Sequence, residues 1–345
     1  MIYLINIVFV FIISIFYELN KKSRIFLILL IFFISLLPAL RSIDVGTDTS
    51  NYVRMFEQFG SSSFFELFNY PTEKGYILLN YFSSFFVESF NDFFLIFYLL
   101  VFFNFIYFFS KNSNFFPLSV LVFLILGLYS ASFNIMRQIM ALSICLLSLK
   151  YVFNRDFIKF SLIVFLSSLF HTTALIFMMV YFVYKYQEKF RYILLFIVIL
   201  IWFIFKFYLE YVLDFINMNV GYAEFGENSG GGPTLIFYII MLSYFYYLGT
   251  KSNDKKYHFY LNLFTICVSL VFLFFIFKVP LAGPMRLILY FSWTLCMLFP
   301  LSLNCYKSKL NKNLILFLYC IALLLYFGQA IYFNVTDIYE FGVKI

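Results

Sequence analysis

The stretch Arg24–Tyr52, RIFLILLIFFISLLPALRSIDVGTDTSNY, runs for sixteen residues from Ile25 to Leu40 without a charge. It then gathers Arg41, Asp44, Asp48, Tyr52 and five Ser, Thr or Asn side chains within twelve residues. At ~1.5 Å rise per residue a helix over the first part would be ~24 Å long, close to the ~30 Å hydrocarbon layer of a bilayer. Similar apolar runs recur at 2–17, 93–109, 115–133, 138–153, 157–170, 172–184, 192–209, 234–249, 259–277, 286–303 and 314–333. The 345 residues are 64% hydrophobic and 12% charged, with a mean hydropathy of +0.94. Soluble domains carry about 25% charge, and a water-soluble core of this size has too little interior for so much apolar surface. Transmembrane barrels would show short alternating strands, which are absent from the pattern. The sequence therefore predicts an all-α polytopic membrane protein, a single transmembrane domain over 1–345 with about 12 transmembrane helices.

Charge assigns the sides. Lys21–Arg24, Lys150–Lys159, Lys185–Arg191, Lys251–Lys256 and Lys307–Lys312 all fall on the cytoplasmic side under the positive-inside rule. This requires that 157–184 cross twice, with its apex near His171, and that 75–90 be a re-entrant or interfacial helix. Sixteen of the 24 Lys and Arg then lie inside and seven outside, with Lys206 within a run. Of the 17 acids only Glu18, Asp156, Glu188 and Asp254 lie inside. The net charge of +7 is thus a topology signal and not a nucleic-acid footprint. Both termini are expected outside, and the first run lacks a basic segment before it, unlike a secretory signal. The two longest outer loops are 41–92 and 210–233, the second carrying the turn-forming ENSGGGP at 227–233. The five cysteines form no CxxC pair and read as small apolar filler.

This topology collects charged and polar residues at the outer mouth from separate parts of the chain: Arg41, Asp44, Asp48 and Tyr52, then Glu73, then Arg137 and Gln138, then His171, then Arg286. Ionisable groups at bilayer depth are costly and usually face a cavity or a partner. Arginine suits phosphate and pyrophosphate because its planar fork donates to two oxygens and stays charged. No metal-ligand motif such as DxD or HExxH lies on this face, so the expected chemistry is metal-independent and without cofactor. Each residue also has a plainer role: Arg41 anchoring a helix end, Asp44 pairing with it, Asp48 capping a helix from Thr49, Glu73 pairing with Lys74. Tyr52, Tyr70 and Tyr76 can stack on sugars or serve as interfacial aromatics.

Four motifs resemble a known family: R-x-x-x-x-G-T-D-T-x-x-Y from Arg41 to Tyr52, E-x-G-Y from Glu73 to Tyr76, R-Q-x-x-A from Arg137 to Ala141, and H-T-T-A-L from His171 to Leu175. In this order they are similar to the EpsG-type, Wzy-like polysaccharide polymerases of O-antigen, capsule and exopolysaccharide clusters. The resemblance implies a membrane glycosyltransferase-like outer cavity at the inner membrane. There, undecaprenyl-pyrophosphate-linked oligosaccharide repeat units would be joined with release of the pyrophosphate lipid, alongside a chain-length regulator. On that expectation Arg41 and Arg137, with Arg286 third, bind pyrophosphate; His171 is the preferred general base, with Asp44, Asp48 and Glu73 as rivals; and Tyr52, Tyr76 and Gln138 meet the glycan. Arg286 comes from the residues alone, since the C-terminal half resembles the family only in hydropathy. A glycan ligase shares this donor and chemistry. A membrane O-acyltransferase would need access from the cytoplasm, and a lipid-linked sugar flippase a charged central cavity with repeated halves.

Overall fold

The computed structural model describes residues 2–20, 22–190, 192, 194, 232–276 and 284–332. Nearly all of the run 192–209, residues 210–231 of the second expected loop, Lys206, Lys278, Pro280, Gly283 and Lys344 lie outside them. The described residues are helical, with no strand. The helices are α1 Ile2–Leu19, α2 Arg24–Ala39, α3 Thr49–Ser61, α4 Lys74–Ser83, α5 Phe90–Asn112, α6 Phe116–Ile125, α7 Leu128–Asn134, α8 Met136–Phe153, α9 Phe157–Ser168 and α10 Met178–Lys185. After these come α11 Gly232–Gly249, α12 Lys255–Ile276, α13 Leu289–Ser292, α14 Leu295–Ser302 and α15 Lys309–Tyr332.

Seven helices among the described residues are long and apolar enough to cross a membrane, or eight if α6 and α7, bent by 47°, make one span. Of the expected twelve, the run 192–209 lies almost wholly outside the described residues, and three others fall short of a span for a physical reason. The runs at 25–40, 157–170 and 172–184 fold as shorter apolar helices, Arg24–Ala39, Phe157–Ser168 and Thr172–Lys185. At ~1.5 Å per residue the twelve residues of α9 are ~18 Å long, less than the hydrocarbon layer. The helix over Lys74–Ser83 has ten residues and is too short to span, as the charge pattern requires of 75–90.

The core forms around α5, whose phenylalanines Phe93, Phe97, Phe102, Phe105 and Phe109 are all sealed from solvent. Helices α2, α6 and α8 pack against it. A helix apolar all round belongs in the middle of such a bundle. Trp293, fully buried, meets Phe108 of α5 at 5.6 Å, Tyr260 of α12 at 5.7 Å and Phe177 at 6.3 Å, joining the two halves of the chain. The flanking helices instead turn large apolar side chains outward, among them Ile5, Ile28, Phe165, Ile240 and Leu324. In water this would be an aggregation surface; against lipid it is the expected exterior.

The basic segments gather at one end of the bundle. Lys256 Nζ stands 4.8 Å from the Phe153 ring, Tyr181 donates to the Arg155 carbonyl at 2.9 Å, and Asn114 donates to the Pro300 carbonyl at 3.1 Å. The residues singled out at the expected outer mouth lie at the opposite helix ends: after α2, before α5, before α8 and after α9. The two-ended charge pattern is therefore a property of the fold. Helices α9 and α10 run back on one another, with Phe157 meeting Tyr181 at 5.0 Å, and His171 stands in the turn between them.

Candidate active site

The polar stretch after α2 turns inward. Arg41 is 2% exposed. Its Nε donates to Thr49 Oγ1 at 3.1 Å, and its Nη1 donates to the Pro38 carbonyl at 2.9 Å and the Tyr98 hydroxyl at 2.6 Å. Its Nη2 donates to the Phe133 carbonyl at 3.0 Å and lies 3.6 Å from Met136 Sδ. The guanidinium faces the rings of Phe94, Tyr98 and Phe133 at 4.6, 5.4 and 5.6 Å. Among the described residues it has no carboxylate partner. Carbonyl dipoles and π faces hold this cation instead. Guanidinium has five N–H donors, and five acceptors surround it, so none is left for a pyrophosphate. Its geometry fits a brace better than the expected ligand role. It ties α2, α3 and α5 to the break between α7 and α8, just before Arg137 in the first turn of α8.

Gly46 completes the turn. Its φ is +89°, and a Cβ there would overlap Asn134 Oδ1, so a side chain is excluded both by conformation and by space. Thr49 Oγ1 donates to the Val45 carbonyl at 2.6 Å and starts α3. Asp48 precedes α3, yet its side chain makes no capping hydrogen bond. Asp48 Oδ2 instead lies 3.5 Å from Arg286 Nη2. Asp44 is exposed and, among the described residues, its side chain bonds with Ser42 alone, at 3.2 Å, outside this cluster.

The centre of the site is Glu73, at the start of α4. That helix is pressed against the α9 turn: the Gly75 amide donates to the Leu169 carbonyl at 2.8 Å, and a Cβ on Gly75 would come within 2.7 Å of the same oxygen. Glycine at 75 thereby sets Glu73 beside His171. One carboxylate oxygen, Oε1, lies 2.8 Å from His171 Nδ1, and the other, Oε2, accepts from Arg137 Nη1. The Glu73 side chain is 13% exposed, Arg137 28% and His171 25%. Burial by itself pushes the Glu73 carboxyl up, but the His171 hydrogen bond and the Arg137 charge outweigh it and hold it at about 2. Glu73 is therefore ionised near neutral pH and can only accept. His171 Nδ1 must then donate, and in the neutral ring the lone pair is left on Nε2.

Arg137 leaves its buried Nε without an acceptor among the described residues. Beside it Gln138, 4% exposed, donates from Nε2 to the Arg286 carbonyl at 2.8 Å and so ties α8 to the turn Pro284–Ile288. Tyr52 lies among these charges: burial pushes its phenol up, Arg137 and Arg286 pull against that, and Asp48 adds to it. Asp48, Glu73, Arg137, His171 and Arg286 thus come together from five segments. Tyr52 and Tyr76 do not offer a face to sugar. They are 5% and 0% exposed and meet edge-to-face at 5.9 Å, so the stacking expected of them gives way to packing. Gln138 likewise positions Arg286 through a buried bond.

Sequence reading passed over the cage of Arg41, made by Thr49, Tyr98 and Phe133, and the bond between Thr173 and Tyr290 at 3.1 Å. Their one sequence signal is a hydroxyl within an apolar run, at Tyr98 and Tyr290, which a membrane helix tolerates only with a partner.

Two expected results follow from this geometry. The ionised Glu73 stabilises the fold above its ordinary value of 4.5, and that contribution is lost as pH falls from there through about 2. The shift corresponds to about 3 kcal/mol. Thermal unfolding in detergent should show wild type losing stability across this window and Glu73→Gln, already weaker at pH 7, losing much less. Arg41→Lys offers fewer donors and no flat face to the rings, and should cost about 2–5 kcal/mol. A Tm within about 1 °C of wild type would remove Arg41 from its bracing role.

The fold and site define a multi-pass helical membrane protein with an ion-paired cluster of Arg, His and carboxylate at one end of its bundle. A model of the EpsG family matches residues 24–341, and the chain belongs to that family. Membership fits a polymerase-like role in polysaccharide biosynthesis. No curated protein matches the chain, and no solved structure does.

Proposed function

We propose that the protein is a glycosyltransferase that polymerises lipid-linked oligosaccharide repeat units at the outer face of the inner membrane. The observation that carries this reading is the Glu73 carboxylate bridging His171 and Arg137, a base and a cation fixed on one anchor. The donor would be a glycan on undecaprenyl pyrophosphate and the acceptor a hydroxyl of one lipid-linked repeat unit. His171 Nε2 takes the proton of that hydroxyl as its oxygen forms a bond to the anomeric carbon. The bond from that carbon to the pyrophosphate oxygen breaks, and the leaving group departs with the electron pair. A single displacement of this kind inverts the anomeric centre. Negative charge grows on the leaving pyrophosphate, where Arg137 and Arg286 would meet it with fixed donors. Among the described residues the buried Nε of Arg137 has no acceptor, and a pyrophosphate oxygen would supply one. Glu73 orients the imidazole and selects its tautomer. Its carboxyl is too acidic to serve as the base itself.

The test is a glycan ladder from cells lacking the gene, with and without the wild-type copy. Single repeat units in the null and a restored ladder on complementation support the polymerase. An unchanged ladder in the null, with altered attachment or acylation, points to the ligase or the acyltransferase. Sidedness has its own check. A cysteine introduced by Asp48→Cys should react with an impermeant thiol reagent in intact spheroplasts, and labelling only after lysis would reverse the orientation.

A further inference from the structure

Beside the site, α3 and the segment leading into Glu73 flank an open cleft of about 630 Å³. This is within the usual ~300–1,000 Å³ of small-ligand sites. One wall is a single face of α3, carrying Arg54, Glu57 and Gln58 at helical spacing. The other is the incoming segment with Tyr70, Pro71 and Thr72, and Thr72 directly precedes Glu73. The Tyr70 ring is held in place. Phe59 meets it edge-on at 5.1 Å, its hydroxyl bonds with Ser62 Oγ at 2.9 Å, and Lys74 Nζ donates to the Tyr70 carbonyl at 2.6 Å and the Phe68 carbonyl at 3.0 Å. The three α3 side chains are exposed, and only Arg54 among them has a side-chain hydrogen bond, to Asn51 at 3.2 Å.

We propose that this cleft is a saccharide subsite that holds the glycan while its end sits at His171. The chemistry selects a sugar over the alternatives. A guanidinium, a carboxylate and an amide on one face match adjacent sugar hydroxyls, which both donate and accept. The Tyr70 ring and Pro71 offer apolar surface to the C–H face of a pyranose. A lipid tail would meet a charged wall, and a pyrophosphate would meet Glu57 beside Arg54. The identity of the glycan rests on the polymerase reading; the saccharide chemistry of the cleft does not. Because Thr72 and Glu73 are consecutive, a chain held here stays next to the reacting centre between additions, so the subsite acts on chain length more than on single transfer.

The probe is the cells' own repeat-unit oligosaccharide, released from its lipid by mild acid and titrated calorimetrically into the full-length protein in detergent. Wild type should bind it. Arg54→Ala combined with Gln58→Ala, both exposed positions, should weaken binding at least tenfold while leaving Tm unchanged. Tyr70→Ala should also weaken binding at least tenfold, and Tyr70→Phe should not. No binding by wild type, or equal binding by the double variant, overturns the subsite. In cells the double variant should still join repeat units but shorten the modal chain at least threefold, and a ladder of normal length overturns the proposal. If null cells keep their full ladder, the polymerase reading fails, while the calorimetric loss at Arg54 and Gln58 still stands for the subsite.

Discussion

His171→Ala is expected to slow chain growth by about 100- to 10,000-fold, the range a positioned general base supplies, while the protein still inserts and folds. The expectation rests on the tautomer. Glu73 is ionised and accepts from Nδ1, so the basic nitrogen is Nε2, on the far side of the ring. An alanine removes the base and one partner of Glu73, but the carboxylate keeps Arg137. His171→Asn makes the test sharper. Its amide can still donate toward Glu73, yet it has no basic nitrogen, and it should lose as much rate as the alanine. Added imidazole should restore part of the activity of His171→Ala, which a packing role would not allow. Normal chain growth in His171→Asn would move the base elsewhere, and Asp48 would be next, since it lies within the cluster while Asp44 does not.

Arg137→Lys should cost about 100- to 1,000-fold in the rate at which the pyrophosphate lipid is released, the loss typical when one charge-stabilising donor is removed from a reacting centre. Lysine can keep an ion pair with Glu73, so the fold and the state of the carboxyl are largely preserved. What it loses is the fork: with one arm on Glu73, a guanidinium keeps further N–H donors for a leaving group, and an ammonium has no such second arm. Arg137→Ala is the harsher change, because it also leaves the partly buried Glu73 with His171 alone and so lowers stability as well as rate. Comparing the two separates catalysis from folding. Equal rates for wild type and Arg137→Lys, measured on purified protein with lipid-linked substrate, would leave Arg137 a structural partner of Glu73 and pass the anion to Arg286.

Hydropathy alone fixed the class of this protein. Its apolar runs have no solution in water, and the Lys and Arg distribution assigned each helix end to one of two faces before any contact was known. The same reasoning placed His171 at an apex and kept 75–90 from crossing, because a single-sided basic pattern admits no other parity. Which residues would meet was legible in part: Asp48, Glu73, Arg137, His171 and Arg286 are charges that a membrane chain must gather where they can be paired or wetted, but Asp44 and Arg41, expected with them, lie outside the cluster. What each one does was not legible, since role depends on burial and partner. Arg41 and Arg137 look alike in sequence, as arginines at the ends of apolar runs. Only packing shows that Arg41 is enclosed by five acceptors while Arg137, among the described residues, keeps a donor unmatched. Tyr52, Tyr76 and Tyr70 are three tyrosines of one polar loop; the fold seals the first two and opens a cleft beside the third. Glu73 reads in sequence as a rival of His171 for the base; a 2.8 Å contact with His171 and the neighbouring guanidinium make it the anchor instead. Sequence sets the period, the polarity and the parity of the helices, because those follow from solvent. The direction of a side chain and the state of its proton follow from neighbours brought from distant parts of the chain, and these only the tertiary structure supplies.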